Sequence, residues 1–162
     1  MRDYNRGYVE AGTWITVAGG HKVPVEELVV GQEVLTMDHG PKPITGIVRL
    51  DLGPEAIKAN RDMETFLFAT EDGGSIFLHG DTLLFLPTGP DGQLCRARDV
   101  HAAGSRGIIR SVDWSRITLV EIYTDDHEIL CGDGVSFMSA RTNPQGSLPR
   151  PVISADQARG LV

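Results

Sequence analysis

Polar and apolar residues along this chain alternate with a period of two far more often than they recur with the period of a helix. Thr13-Trp14-Ile15-Thr16-Val17 alternates and then breaks at Gly19-Gly20, a turn signal. Val23 to Val25 reads as a short strand, and Val25-Glu26-Glu27-Leu28 as one helical turn at most. Glu33 to Met37 predicts another strand, closed by Asp38-His39-Gly40-Pro41, and a longer one is expected from Pro43 to Leu50. Thr65 to Thr70 and Ser75 to His79 flank Glu71-Asp72-Gly73-Gly74, the pattern of a hairpin. Leu83 to Leu86 is a strand ended by Pro87. Later strands are expected at Gly107 to Ser111, Arg116 to Thr124 and His127 to Cys131. A short helix fits Glu55 to Asn60. After Gly134 the chain reads as loop through Pro144, Gly146 and Pro149, and a terminal helix is expected over Ala155 to Leu161 with Ser154 as its N-cap. Many short strands between Gly and Pro turns, without alternating helices, predict an all-β protein rather than a βαβ one.

Length and composition narrow this further. The 162 residues suit one domain, 1–162, with residues 1–7 as a short N-terminal extension and 140–162 as a C-terminal tail. A formal net charge of -7 opposes binding to a phosphate backbone, so nucleic acid is not expected as a partner. The longest apolar run, Leu83 to Pro87, is too short to cross a bilayer, and Met1 to Gly7 lacks a signal-peptide core. The expectation is a protein without membrane spans, cytoplasmic or exported without an N-terminal signal. Two cysteines, Cys95 and Cys131, make neither a disulfide framework nor a CxxC metal pattern. No cofactor and no metal are expected.

Three stretches together resemble a known family. The first is Gly12-Thr13-Trp14-Ile15-Thr16, then Gly20, then Val25 to Gly40, similar to a family opening of the form V-E-x-L-x-x-G-D-x-V-L-T-x-D-x-G. The second is Thr118 to Leu130 followed by Asp133-Gly134, a strand, an acidic turn, a His and another strand. The third is Arg150-Pro151-Val152-Ile153 with Ala158-Arg159. In this order they resemble the hedgehog/intein (Hint) self-processing domains of a bacterial subgroup. The resemblance implies a compact, horseshoe-shaped all-β fold whose two ends lie close together.

Family members perform an N-to-S or N-to-O acyl shift, which needs an activated nucleophile, an acid for the leaving amide nitrogen and oxyanion stabilisation. Carried onto this chain, the nucleophile position is Tyr8, whose phenol is a poor acyl acceptor and is expected instead to be a packed aromatic filling the vacated site. The family's T/S-x-x-H block falls on His79-Gly80-Asp81-Thr82, so Thr82 stands where the acid should be and His79 where the hydroxyl should be. His79 is either a replacement acid or a surface or half-buried His at a strand end. His127 matches the family's late His, with Asp125 or Asp126 placed to orient its ring. Asp125-Asp126-His127 alone also has the look of a metal site, but no second cluster has matching spacing. The His-Asn pair that splicing needs is missing, since Asn143 precedes Pro144. Cys131 is expected to be buried and inert, and Arg96 and Arg98 are placed to lower the pKa of Cys95.

The candidate site is therefore Tyr8, His79, Thr82 and His127. The leading expectation is a degenerate Hint domain that acts as a structural module or binds a protein partner, and so is not an enzyme. The alternatives are a residual autoprocessing enzyme that cleaves before Tyr8, and an unrelated small β hydrolase or ligand-binding domain built on Asp125, Asp126 and His127.

Overall fold

A computed structural model describes residues 7–59, 65–69, 75–104, 108–110, 117–132, 134–159 and 161. In chain order the strands are β1 (Tyr8–Glu10), β2 (Trp14–Thr16), β3 (Lys22–Pro24), β4 (Glu33–Thr36), β5 (Gly40–Pro43) and β6 (Gly46–Leu52). Helix α1 (Pro54–Ala59) follows, then β7 (Thr65–Ala69), β8 (Ser75–His79), β9 (Leu83–Leu86) and β10 (Gln93–Arg96). Next come α2 (Ala97–Ala102), β11 (Ile108–Arg110), β12 (Ile117–Thr124), β13 (Ile129–Cys131), β14 (Ser136–Met138) and β15 (Ala140–Arg141). The order ends with β16 (Val152–Ile153) and α3 (Ala155–Ala158). The all-β reading of the sequence holds.

Two seven-stranded sheets carry the fold. One runs β11-β7-β8-β1-β12-β15, with β6 also paired to β12, and the other runs β16-β10-β9-β14-β13-β4-β5. The β2–β3 hairpin is tied to the second sheet by bridges from Ile15 to Gly132 and from Val17 to Val34. Among the described residues all strand pairings are antiparallel except β12–β15 and β10–β16. A parallel pair needs a crossover, and for β12–β15 that crossover is the β13–β14 hairpin, which lies in the other sheet.

Strand β12 lies between β1 on one side and β6 on the other and is buried along most of its length, which is why it reads as a nearly continuous apolar run. Val120 and Ile122 enter the main core with Val9, Ile15, Leu78 and Phe137. Ile117 and Leu119 point to the opposite face and pack with Tyr8. The turn before β4 requires Gly31, because its φ is +93, a left-handed value that other residues adopt at a cost.

The predicted hairpin of 65–70 with 75–79 forms as β7 and β8, while its turn at 71–74 lies outside the described residues, as do Gly107, Ser111, Arg116, Asn60, Thr70 and Asp133. The strand expected over 43–50 is instead β5 and β6, divided at Ile44-Thr45. The loop reading after Gly134 holds over 142–151 but not before it. Ser136 to Arg141 forms β14 and β15, and Val152–Ile153 lies beside β10. These segments are two or three residues long, too short for a period to declare itself. Helix α3 is shorter than expected, but Ser154 caps it as predicted, in a capping box with Gln157.

Candidate functional site

The site forms where β1 enters the first sheet between β8 and β12. Ala11 N–H bonds the Thr118 carbonyl at 2.9 Å, so the odd-numbered residues of β1 hydrogen-bond toward β12. Tyr8 therefore turns its peptide groups the other way, toward the 79–82 turn. There the Thr82 hydroxyl, fully buried, donates to the Tyr8 carbonyl at 2.8 Å. The Tyr8 ring packs with Ile117 and Leu119 and lies 6.0 Å, centroid to centroid, from the His79 ring.

The 79–82 turn is held from within and from outside. Thr82 N–H donates to the His79 carbonyl at 2.9 Å, and Asp81 N–H donates to His79 Nδ1 at 3.0 Å. With Nδ1 accepting, the proton of the neutral ring is assigned to Nε2 by this network. The first residues of α2 grip the same turn: Ala97 N–H bonds the Thr82 carbonyl, Arg98 N–H bonds the Gly80 carbonyl, and the Arg98 side chain pairs with Asp81 at 3.1 Å. His79 is not a surface or half-buried residue. It is completely buried, because β8 ends inside the molecule.

The residue before Tyr8 is held more tightly still. Gly7 N–H donates to Oε2 of Glu121 at 2.8 Å, and the Tyr123 hydroxyl donates to Oε1 of the same carboxylate at 2.7 Å. Glu121 lies directly opposite Tyr8 and is 2% exposed. On its other side Gly7 abuts the backbone after β14. A Cβ added there would lie 2.7 Å from the Met138 carbonyl oxygen, closer than real Cβ atoms come, so position 7 has no room for a side chain.

His127 reaches this neighbourhood through Ser139. Its Nδ1–H donates to the Ser139 carbonyl at 2.9 Å. The Ser139 hydroxyl accepts from Glu128 N–H at 3.0 Å and meets the Thr124 hydroxyl at 2.5 Å, while Thr124 donates to the Asp126 carbonyl at 2.6 Å. One proton direction satisfies the whole chain: Ser139 donates to Thr124, and Thr124 donates to Asp126. The Nδ1 partner of His127 is thus a carbonyl rather than the side chain of Asp125 or Asp126. Both acids are exposed, and Asp126 Oδ1 accepts from Asn143 at 2.9 Å.

Tyr8, His79 and Thr82 lie together around the 79–82 turn, while His127 bonds Ser139, whose backbone abuts Gly7. Glu121, Gly7 and Ser139 were not anticipated. Glu121 does carry a signal: it is the single acid among Ile117 to Tyr123, flanked by Val120 and Ile122, and a Glu in so apolar a strand is seldom buried unless it has partners. Ser139 carries none. The two cysteines stay outside the site. Burial pushes the Cys95 thiol up to about 12, with Asp99 adding to the rise, and Arg96 does not offset it. Burial also raises Cys131. The expected activation of Cys95 is absent, because the thiol is fully buried and the cost of desolvating a thiolate outweighs the attraction of Arg96. Among the described residues, no group of three or more His, Cys, Asp or Glu side chains is arranged to hold a metal ion.

Comparison with known proteins places this geometry. Solved structures match over most of the chain at low identity. A variant of the MchDnaB-1 intein has 12% identity and a TM-score of 0.53, covering 82% of this chain and 98% of its own. A DnaB intein from Synechocystis sp. PCC 6803 has 8% identity and a TM-score of 0.53, covering 83% and 99%. The bacterial intein-like domain from Clostridium thermocellum has 14% identity and a TM-score of 0.51, covering 83% and 99%. These likenesses show the fold. No match is found among curated proteins. The family model described as "Hint domain" matches residues 9–143, from the position after Tyr8 through Asn143. The chain therefore belongs to the Hint domain family, the self-processing superfamily to which inteins also belong.

Proposed function

We propose that this Hint domain keeps the family scaffold but no longer cuts the chain before Tyr8, and that it serves as a structural or partner-binding module. The observation that carries the reading is the Tyr8–Thr82 pair. The nucleophile position holds a phenol packed against Ile117 and Leu119, and the hydroxyl at the acid position donates to the Tyr8 carbonyl, one peptide beyond the bond the family breaks. A Thr hydroxyl cannot protonate a leaving amide nitrogen near neutral pH. The Glu121 and Gly7 contacts fit a site that holds its upstream chain rather than releasing it. In this reading Tyr8, His79, Thr82 and His127 are the family-equivalent positions, retained for packing and hydrogen bonding, and no cofactor takes part.

Residues 1–162 are taken as one unit. Pairing of β15 with β12 and of β16 with β10 supports counting the segment after residue 140 as part of the domain. Among the described residues no helix is long and apolar enough to cross a membrane. The net charge of -7 favours a protein partner over nucleic acid.

One observation favours residual self-processing. The Tyr8 amide is directed at the turn that carries His79, whose ring proton sits on Nε2. The intact mass of the chain carrying an N-terminal fusion, with and without hydroxylamine, separates the two readings. A single unbroken mass under both conditions is expected. A product beginning at Tyr8 overturns the inactive-scaffold reading.

A further inference from the structure

We propose that β6 is a self-association edge, on which a second copy of this chain pairs antiparallel about a two-fold axis through Leu50. This is independent of whether the processing centre is active.

The argument starts from how the other edges are treated. Proteins commonly blunt exposed sheet edges with proline or with very short strands. Here β5 carries Pro41 and Pro43, β11 has three residues, and β15 and β16 have two each. By contrast β6 has seven residues and no proline, and its outer side pairs with no described strand. Because Val120 hydrogen-bonds toward β1, its neighbours Leu119 and Glu121 bond toward β6. Their partners Leu50 and Val48 are thereby satisfied. The peptide groups of Ile47, Arg49 and Asp51 face outward, and they are the groups a further strand would engage.

The side chains select both the occupant and the register. Arg49 and Asp51 are more than half exposed, and their own ion pair is long, 3.9 Å. An antiparallel copy must set outward-facing residues against outward-facing residues. Centred on Arg49 it would place Arg49 against Arg49, and centred on Asp51 it would place Asp51 against Asp51, both repulsive. Centred on Leu50, Arg49 lies opposite Asp51 of the second copy, twice, and each pair exchanges two main-chain hydrogen bonds. Val48, exposed at the edge, then meets Leu52 of the second copy, and Leu50 meets Leu50. Such an interface is isologous and closes as a dimer rather than propagating.

Sedimentation across a dilution series tests this. The mass should rise from one chain to two as concentration increases. Arg49→Asp, which faces Asp51 of the second copy with a like charge, should stay at one chain. The swapped double variant, Arg49→Asp with Asp51→Arg, should regain the dimer. A Leu50→Cys variant adds a readout that does not depend on tight binding. Across a non-hydrogen-bonded antiparallel pair the two Cα atoms lie about 4.5 Å apart, within disulfide reach, so oxidation should give a covalent dimer that Arg49→Asp suppresses. A wild-type chain that stays monomeric at every concentration overturns the proposal. So does a dimer indifferent to Arg49→Asp, or a swapped variant that fails to reassociate.

Discussion

Replacing Glu121 by Ala removes the acceptor for two donors, Gly7 N–H and the Tyr123 hydroxyl, at a place that is 2% exposed. A buried donor left without a partner costs about 1–3 kcal/mol. Gly7 is buried and would bear this in full, whereas half-buried Tyr123 can turn its hydroxyl to water and bears less. The missing side-chain carbons leave a small void beside Tyr8, adding about 1 kcal/mol. The total expected loss is about 3 kcal/mol. In a domain of this length each kcal/mol moves the melting temperature by about 2–4 °C, so Glu121→Ala should melt about 9 °C lower. Glu121→Gln behaves differently. Its carbonyl oxygen can accept from Gly7, and its amide can donate to Tyr123 Oη once that hydroxyl turns to accept. It loses charge assistance but no longer buries a charge that no described cation pairs, so its loss should stay within about 1 kcal/mol. Calorimetry with urea titration of the three proteins provides the measurement. A Glu121→Ala variant within 1 kcal/mol of wild type, or a Gln variant as unstable as Ala, refutes the account of Glu121 as the clamp on residue 7.

Three further outcomes follow from the same geometry. Thr82→Val keeps the volume but strands the Tyr8 carbonyl and should cost about 1–3 kcal/mol in urea denaturation, while Thr82→Ser, which keeps the donor, should lose less than half of that. Arg150 forks onto Asp38 at 2.7 and 2.9 Å and holds its carboxyl below the ordinary value of 3.8. Since the folded pKa lies below the unfolded one, this contribution is complete above about pH 4 and disappears as pH falls through the folded value. The stability gap between wild type and Asp38→Asn, on the order of 1 kcal/mol, should therefore close in acid. With a pKa pushed up to about 12, Cys95 is almost entirely protonated at pH 8, so an alkylating reagent should label it in the native protein far more slowly than after unfolding.

The legible parts of this protein were those with a local cause. Alternation over Thr13 to Val17 and Glu33 to Met37 predicted β2 and β4 without reference to any partner. Ser154 announced a helix start through its hydroxyl. The ordered motifs around Gly12, Gly31 and His127 carried the family, and with it the expectation that Tyr8, His79 and Thr82 would meet. What remained open depended on neighbours far away in the chain. Glu121 is 114 residues from Gly7, and nothing in either neighbourhood specifies the other. Strands as short as β15 and β16 exist because an edge is waiting for them, and no period shows in two residues. Cys95, with Arg96 beside it in sequence, looked activated, yet desolvation outweighed the nearby charge once the fold had closed around it. Local backbone preferences are written residue by residue. Burial and the partners of buried polar groups are properties of the packed whole, and for that reason only the tertiary structure decided them.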